Sequence, residues 1–309
     1  MGATLQSRIA PFQESDGHHS HANDATSSKT DTALSSIILI GTSFKTSSIE
    51  FREELSRALS GQSAQRHPPE GAKESTTLQT CNRIELYVVS GQPERTEAEF
   101  FSHLPARLRE RRDCFYILRG VDVITHLFEL ASGLDSMVVG EDQILSQLRE
   151  TATKARLEGH FRAVLSMLFD VATSVGSRVR STFDIPAENR SVSAFALKFA
   201  LEKLGRKPNG VLLIGTGKVM KLAASGLSGC EIFVATRRKE VSPHFSLAKT
   251  VSYHEIGKVA RRCDLIISAT KQERYVIKQS EFADDMRRVL LDLAFPRNMD
   301  PRLKNSRNI

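Results

Sequence analysis

No uninterrupted apolar run in the 309-residue sequence approaches the ~20 residues that a membrane-spanning helix needs, so a helical membrane protein is excluded. Cysteine is scarce. Cys81, Cys114, Cys230 and Cys263 form no close-spaced metal pattern and no disulfide framework, which removes a metal requirement and a secreted, disulfide-stapled scaffold. A reducing cytoplasm fits this usage and would keep a reactive thiol available. The apolar fraction, 40%, is that of an ordinary globular protein, and the length suits about two domains. The net charge of +7 and the pI near 9.3 permit a polyanionic partner such as RNA without requiring one.

Residues 1–34 are polar, rich in Ser, Thr, Asp and His, and lack a helical or strand period, so they read as a disordered leader. His18, His19 and His21 suit a solvated tail or a loose metal contact. The leader has no apolar core of a secretory signal, and its acidic residues and few arginines argue against a transit peptide. Folded structure is expected from the buried strand around Ile37–Ile40. A helix capped by Ser47 or Ser48 should follow, with Glu50, Glu53 and Glu54 near its start.

The most informative stretch is Thr80-Cys81-Asn82-Arg83. Beyond it, Ile84, Leu86 and Val88 alternate and predict a strand with one buried face. Cys81 then lies where a strand begins, beside a loop. Arg83, two residues on, is expected on the same face as Cys81, as a cation favouring the thiolate. A small buried cysteine is the plainer alternative. Pro93 to Asp113 predicts one charged helix with Phe100, Phe101, Leu104 and Leu108 on its apolar side. Arg107, Arg109, Arg111 and Arg112 near its end suit either RNA phosphates or a solvated helix terminus.

A helix over 121–132 should bury Val123, Leu127, Leu130 and Ala131, with His126 flanking that stripe as a packed residue or a functional one. Gly133 should end this helix and Gly140 precede the next, on which Gln143 and Gln147 share a face. Glu141 suits the helix start as a dipole partner. A further helix spans about Phe161 to Arg180. Pro186 marks a break, and Ser191 opens a helix that Gly205 stops.

The strand Val211–Ile214, the turn Gly215-Thr216-Gly217-Lys218-Val219-Met220, a helix to about Leu227 and the strand Ile232–Ala235 form a βαβ unit with a phosphate-binding turn. Met220 stands where the fingerprint has its third glycine. After the second strand come Arg237 and Arg238 rather than an acidic residue. They suit the 2′-phosphate of NADP or merely decorate the surface.

"TCNRIELY", "HLFELASGLDSMVVGEDQILSQ" and "VLLIGTG", in this order, resemble the glutamyl-tRNA reductase family from about Ile37 onward. The resemblance implies an α/β protein, with an N-terminal α+β catalytic domain (35–186) that binds glutamyl-tRNA, followed by a Rossmann-like NADP-binding domain (187–309). It implies NADPH-dependent reduction of glutamyl-tRNA(Glu) to glutamate-1-semialdehyde through a Cys81 thioester, the first step of tetrapyrrole synthesis. His126 would assist, and substrate would be bound by Thr80, Cys81, Asn82, Arg83, Ser136, Glu141, Asp142, Gln143 and Gln147. Arg83 would clamp the glutamate carboxylate. NADPH would lie on residues 215–220 and Arg237, and the product would pass to glutamate-1-semialdehyde aminomutase. The family's usual Gly-x-Asn-His opening is replaced here at Ser43 and Phe44. The resemblance implies that family members continue into a helical dimerisation domain beyond the point where this sequence stops, so it reads as a naturally short member or a truncated product, with homodimerisation left open. A weakly active tRNA- or partner-binding homologue and an unrelated NADP-dependent oxidoreductase are the alternatives.

Overall fold

The computed structural model describes residues 34–61, 69–183, 192–227, 229–237, 242–270, 272, 274–282, 286–306 and 309. The leader with its three histidines, Pro186, Ser191, Arg238 and the expected boundary at 186/187 lie outside these residues.

In chain order, the first part contains β1 (Ile37–Ser43), α1 (Ile49–Gly61), β2 (Ala72–Gln79), β3 (Arg83–Ser90), α2 (Pro93–His103), α3 (Ala106–Arg109), β4 (Tyr116–Arg119), α4 (Val121–Ser132), α5 (Gln143–Leu157) and α6 (Ala163–Thr182). The second contains α7 (Val192–Leu204), β5 (Gly210–Ile214), α8 (Lys218–Gly226), β6 (Glu231–Ala235), β7 (Lys249–Val251), α9 (Ile256–Ala260), β8 (Leu265–Ser268) and β9 (Val289–Asp292).

The first sheet is antiparallel, in the order β2-β3-β1-β4. Helices cover both faces. Ile37, Leu39, Tyr87 and Val89 pack with Leu127, Leu148, Leu165 and Phe169 from α4, α5 and α6. Ile38, Ile40, Ile84 and Val88 pack with Phe51, Leu55, Phe101, Leu104 and Leu108 from α1, α2 and α3. The expectation of one buried face for β3 is therefore corrected. As an interior strand between two helical layers, it buries Glu85, Tyr87 and Val89 as well as Ile84 and Val88. The single helix expected over 93–113 is also corrected. Pro105 has no N–H to continue the ladder, α2 ends at His103, and α3 and a short 3-10 turn at Arg112–Cys114 follow. The apolar stripe read from the sequence still packs into one core.

The expected helix over 121–132 is present, with Gly133 at its C-cap in the left-handed conformation (φ 78°). Ser48 Oγ accepts from Phe51 N at 3.3 Å at the start of α1, fixing which serine caps it.

The second sheet is parallel, in the order β7-β6-β5-β8-β9, and strand order reverses between β5 and β8. Apolar side chains from both faces are covered, one by α7 and α8 and the other by α9 and the chain around Ile277, Met299 and Leu303. Gly205 (φ 69°) follows the end of α7, as expected. No described helix is long and apolar enough to cross a membrane.

Candidate active site

Thr80 to Asn82 form the tight turn between β2 and β3. Thr80 Oγ1 accepts from the backbone N–H of both Asn82 and Arg83 at 3.1 Å, and Thr80 N donates to Arg83 O at 2.9 Å. These bonds present Cys81 at the tip, exposed to solvent. The turn is held from outside by Phe44 N–H, which donates to Asn82 O at 2.8 Å, and by Gln79 Nε2, which donates to Ser56 Oγ at 2.7 Å.

Arg83 does not accompany Cys81. Because Cys81 lies in a turn, strand alternation does not relate the two. Arg83 points into the sheet and is almost fully buried. Its Nη1 bonds Glu85 Oε1 at 2.8 Å and Asp135 Oδ2 at 2.9 Å, and its Nη2 bonds Asp135 O. Its fork is thus engaged by this chain's own carboxylates. Lys45 closes the group by pairing with Asp135. Burial would raise the Asp135 pKa, but Lys45 and Arg83 together hold it below the usual value.

Glu85 is the centre of this network. It is fully buried and accepts from Arg83, Tyr87 Oη (2.7 Å), Tyr116 Oη and His126 Nε2 (2.9 Å). Burial alone would raise its pKa. The bond and charge of His126, then Arg83 and Tyr116, bring it down to about 2. Tyr116 reaches Glu85 because Gly41 lies between them in the sheet register. A Cβ at Gly41 would sit 2.6 Å from the Tyr116 ring. His126 is therefore seated on Glu85, not on Cys81.

The segment 133–142 brings the remaining residues. Gly140 N donates to Gly133 O at 2.9 Å, closing the loop, and Arg180 from α6 bonds Ala131 O and, at 2.7 Å, Glu141 O. Ser136 is buried, and its Oγ has no hydrogen bond of normal geometry, although it lies close enough to the Glu141 carboxylate to help stabilise it. Glu141 is buried, and that burial pushes its pKa up. Asp142 is exposed at the start of α5 and pairs with Arg180 at 3.3 Å. Gln143 is exposed and Gln147 half-buried on the same helix.

The Cys81 thiol is pushed up first by the surrounding protein and then by Glu141. A backbone hydrogen bond and Arg52 act in the other direction. Arg83, committed to Glu85 and Asp135, is not the cation beside Cys81 that strand alternation suggested. Glu85 and Asp135 lie within the quoted stretches, but neither they nor Arg52 are singled out by spacing or pattern. The signal for Glu85 was an acidic residue inside an otherwise apolar strand, since such a group is buried only when paired. The arginine cluster at 107–112 is largely spent within the fold: Arg107 pairs with Glu54, Arg111 with Asp113, and Arg112 with Glu97. Those three pairings favour a solvated, ion-paired helix end over a free phosphate-binding patch.

In the second sheet, Gly215 leaves β5 with φ 113°, and a Cβ there would meet Ala269 O at 2.9 Å across the point where strand order reverses. Thr216 is half-buried, and Gly217 caps α8, with Lys218 and Val219 opening its first turn. No atom lies within 4 Å of the place a Gly217 Cβ would occupy, so a pyrophosphate can approach the backbone and the helix N-terminus there. Met220 is fully buried under the sheet, which is why a side chain is accepted at the third fingerprint position. Beyond β8, Gln272 is buried with an unpartnered Nε2, and Asn298 ties its backbone to Thr270 and Ser268. The open turn and the orphan amide fit a bound dinucleotide. Arg237 is exposed just past β6, its guanidinium 5.4 Å from the Tyr253 ring centroid.

Together these features define a two-part α/β protein: an antiparallel domain presenting a cysteine on a tight turn, joined to a dinucleotide-binding domain. A family model for the N-terminal domain of glutamyl-tRNAGlu reductase matches residues 40–183, and one for shikimate/quinate 5-dehydrogenase matches residues 198–309. The chain is 33% identical over 292 residues to the glutamyl-tRNA reductase of Nitratidesulfovibrio vulgaris, covering 88% of this chain and 66% of that protein. It is 32% identical over 292 residues to that of Desulfotalea psychrophila, covering 88% and 68%. The solved glutamyl-tRNA reductase of Methanopyrus kandleri is similar at 26% identity and a TM-score of 0.46, covering 89% of this chain and 70% of that one. The chain belongs to the glutamyl-tRNA reductase family. It spans 66% and 62% of the length of the Nitratidesulfovibrio vulgaris and Anaeromyxobacter dehalogenans relatives.

Proposed function

We propose that this protein reduces glutamyl-tRNA(Glu) to glutamate-1-semialdehyde with NADPH, in the cytoplasm, at the start of tetrapyrrole synthesis. The observation that carries this reading is the exposed Cys81 at the tip of a hydrogen-bonded turn in a chain of this family. In the proposed reaction, Cys81 Sγ attacks the ester carbonyl of the charged tRNA, forming a C–S bond. The ribose oxygen departs with the proton that the thiol gives up, leaving a thioester. Residues 215–220 would hold NADPH, with Arg237 suited to its 2′-phosphate, and that group would supply the hydride that reduces the thioester to the aldehyde and frees the thiolate.

The chain's own residues divide the remaining work. The turn hydrogen bonds hold Cys81 at the tip, and the buried Ser136 Oγ, beside the Glu141 carboxylate, offers a hydroxyl to a polar group of the substrate. Glu141, with its raised pKa, and the exposed Asp142, Gln143 and half-buried Gln147 line the entry to α5, suited to the amino and carbonyl groups of the aminoacyl ester. His126, oriented by Glu85, holds its Nδ1 available for a polar contact with substrate or for the proton of the departing oxygen. Arg83 becomes the carboxylate clamp only when the substrate carboxylate displaces Asp135 from its fork.

The test is purified protein with glutamyl-tRNA and NADPH, assayed for semialdehyde and NADPH oxidation. Stoichiometric appearance of both, lost in Cys81→Ser, is expected. Charged-tRNA binding without product would make the protein a binding homologue. NADPH oxidation that does not need charged tRNA would make it a small-molecule oxidoreductase.

A further inference from the structure

We infer that Gln272, in the loop after β8, is a cofactor-binding residue that donates its side-chain amide to the nicotinamide half of NADPH. The inference rests on the reading of residues 215–220 as the dinucleotide site. Gln272 is 8% exposed, and its Nε2 is buried without a hydrogen-bond partner. Its Oε1 accepts from Arg274 Nε at 3.3 Å, which settles which end of the amide is the carbonyl. The N–H donors are left over in a buried place. A buried donor without an acceptor is costly, and such groups are few in a folded protein. An acceptor that arrives with a ligand removes that cost.

The backbone of Gln272 is held without help from that amide. Asn298, fully buried, accepts at Oδ1 from Ser268 Oγ at 3.1 Å, Thr270 N at 3.2 Å and Thr270 Oγ1 at 2.6 Å. Its Nδ2 donates to Gln272 O at 2.7 Å, and Gln272 N donates to Thr270 Oγ1 at 3.3 Å. Asn298 N in turn donates to Asp292 Oδ2 at 2.8 Å, so the chain after β9 fixes the chain after β8. The anchoring is complete through main-chain atoms, and Nε2 takes no part in it.

Register places this loop beside the Gly215 turn. β6, β5 and β8 end side by side, with Ile214 paired to Ala235 and to Ser268. Gly215 N donates to Ala235 O at 3.0 Å on one side, and Ala269 N donates to Ile214 O at 3.2 Å on the other. A Cβ on Gly215 would lie 2.9 Å from Ala269 O and 3.2 Å from Thr270 Cγ2, so the loop that leads to Gln272 runs against the phosphate turn. Strand order reverses here, and a dinucleotide lies across the strand ends at such a point. With its phosphates over Gly215 and Gly217, one half lies over β6 and the other over β8. Arg237, just past β6, takes the adenosine half. The nicotinamide half then falls to the loop after β8, where its ribose hydroxyls and carboxamide oxygen are acceptors for Nε2.

The experiment uses Gln272→Met on the full chain, which keeps the length of the side chain without its amide. Binding is read by calorimetric titration with NADPH and with 2′,5′-ADP, which carries the adenosine half alone. Gln272→Met is expected to weaken NADPH binding about three- to tenfold, the scale of one hydrogen bond, and to leave 2′,5′-ADP binding as in wild type. Arg237→Ala should weaken both. Without nucleotide, the thermal midpoint of Gln272→Met should equal or exceed that of wild type. The change removes an unpaired buried donor and loses only the long bond to the exposed Arg274. Equal losses for the two ligands, wild-type NADPH affinity, or a lowered midpoint in the bare protein would overturn the inference and leave the dinucleotide site standing. Wild-type protein that binds neither ligand would overturn the dinucleotide reading itself, and this inference with it.

Discussion

Arg297, from the loop after β9, grips Glu53 on α1 with its backbone amide, its Nε and its Nη2, although 244 residues separate them. Glu53 is nearly buried and Arg297 mostly so. This bidentate pair, extended by Glu50, docks the end of the dinucleotide-binding sheet against the helix that carries Arg52. Phe295, two residues earlier, packs into the core formed by Phe51 and Phe101.

Arg297→Ala is expected to destabilise the protein by about 2–3 kcal/mol, because it leaves the Glu53 carboxylate buried without its partner. The Arg297→Ala/Glu53→Ala double variant should recover part of that loss. Strict additivity of the two single changes in urea unfolding would show that the pair carries no coupling.

Glu85 should make the protein acid-sensitive. Its folded pKa of about 2 lies below the ordinary 4.5, so its contribution is fully present above pH 4.5 and is lost as pH falls toward 2. The difference corresponds to about 3 kcal/mol at neutral pH. The stability gap between wild type and Glu85→Gln, measured in urea, should therefore shrink below about pH 4.5. A gap that stays constant on acidification would assign the loss to packing rather than ionisation.

Asp135 occupies the Arg83 fork that a glutamate carboxylate would need. Asp135→Asn removes the competing charge, and the binding of a non-hydrolysable glutamyl-adenosine analogue is expected to tighten by roughly three- to tenfold, the scale of one charge-assisted contact. Discrimination against the glutaminyl analogue should rise with it. Weaker binding in Asp135→Asn would place the clamp elsewhere.

Arg237→Ala should weaken NADPH binding by about 1.5–3 kcal/mol and leave NADH binding nearly unchanged, since only the former carries a 2′-phosphate for a charge-assisted bond. Fluorescence titration of both nucleotides reads this directly. Equal losses for the two would reduce Arg237 to its stacking over Tyr253.

Gly41→Ala should cost about 1–3 kcal/mol, because its methyl would overlap the ring of the directly paired Tyr116, whose hydroxyl is bonded to Glu85. The same change should release Tyr116 from Glu85. A Tyr116 phenol that still titrates as in wild type would show that the ring had found another route to the carboxylate.

Local chemistry was legible in the sequence. The stops at Gly133 and Gly205, the buried stripe on α4 and the βαβ unit around Gly215 and Gly217 each depend on residues a few positions apart, and each lies where period and turn chemistry put it; the extended run expected from Cys81 to Arg83 is instead a turn. Two elements were misread for reasons that local pattern cannot supply. The second buried face of β3 depends on helices packed from elsewhere in the chain, and Pro105 divided a stripe whose apolar spacing runs straight through it. Charge pairing belongs to the tertiary structure alone. Arg83 meets Asp135 across 52 residues and Arg297 meets Glu53 across 244, so Arg83 turns to Glu85 and Asp135 and away from Cys81. The sequence by itself determined the open Gly215–Gly217 turn at the start of a helix, because backbone geometry is set by neighbours. That Arg83 serves the buried carboxylates and not the thiol was decided only by the fold, because a buried charge takes whichever partner the packing brings within a few ångströms.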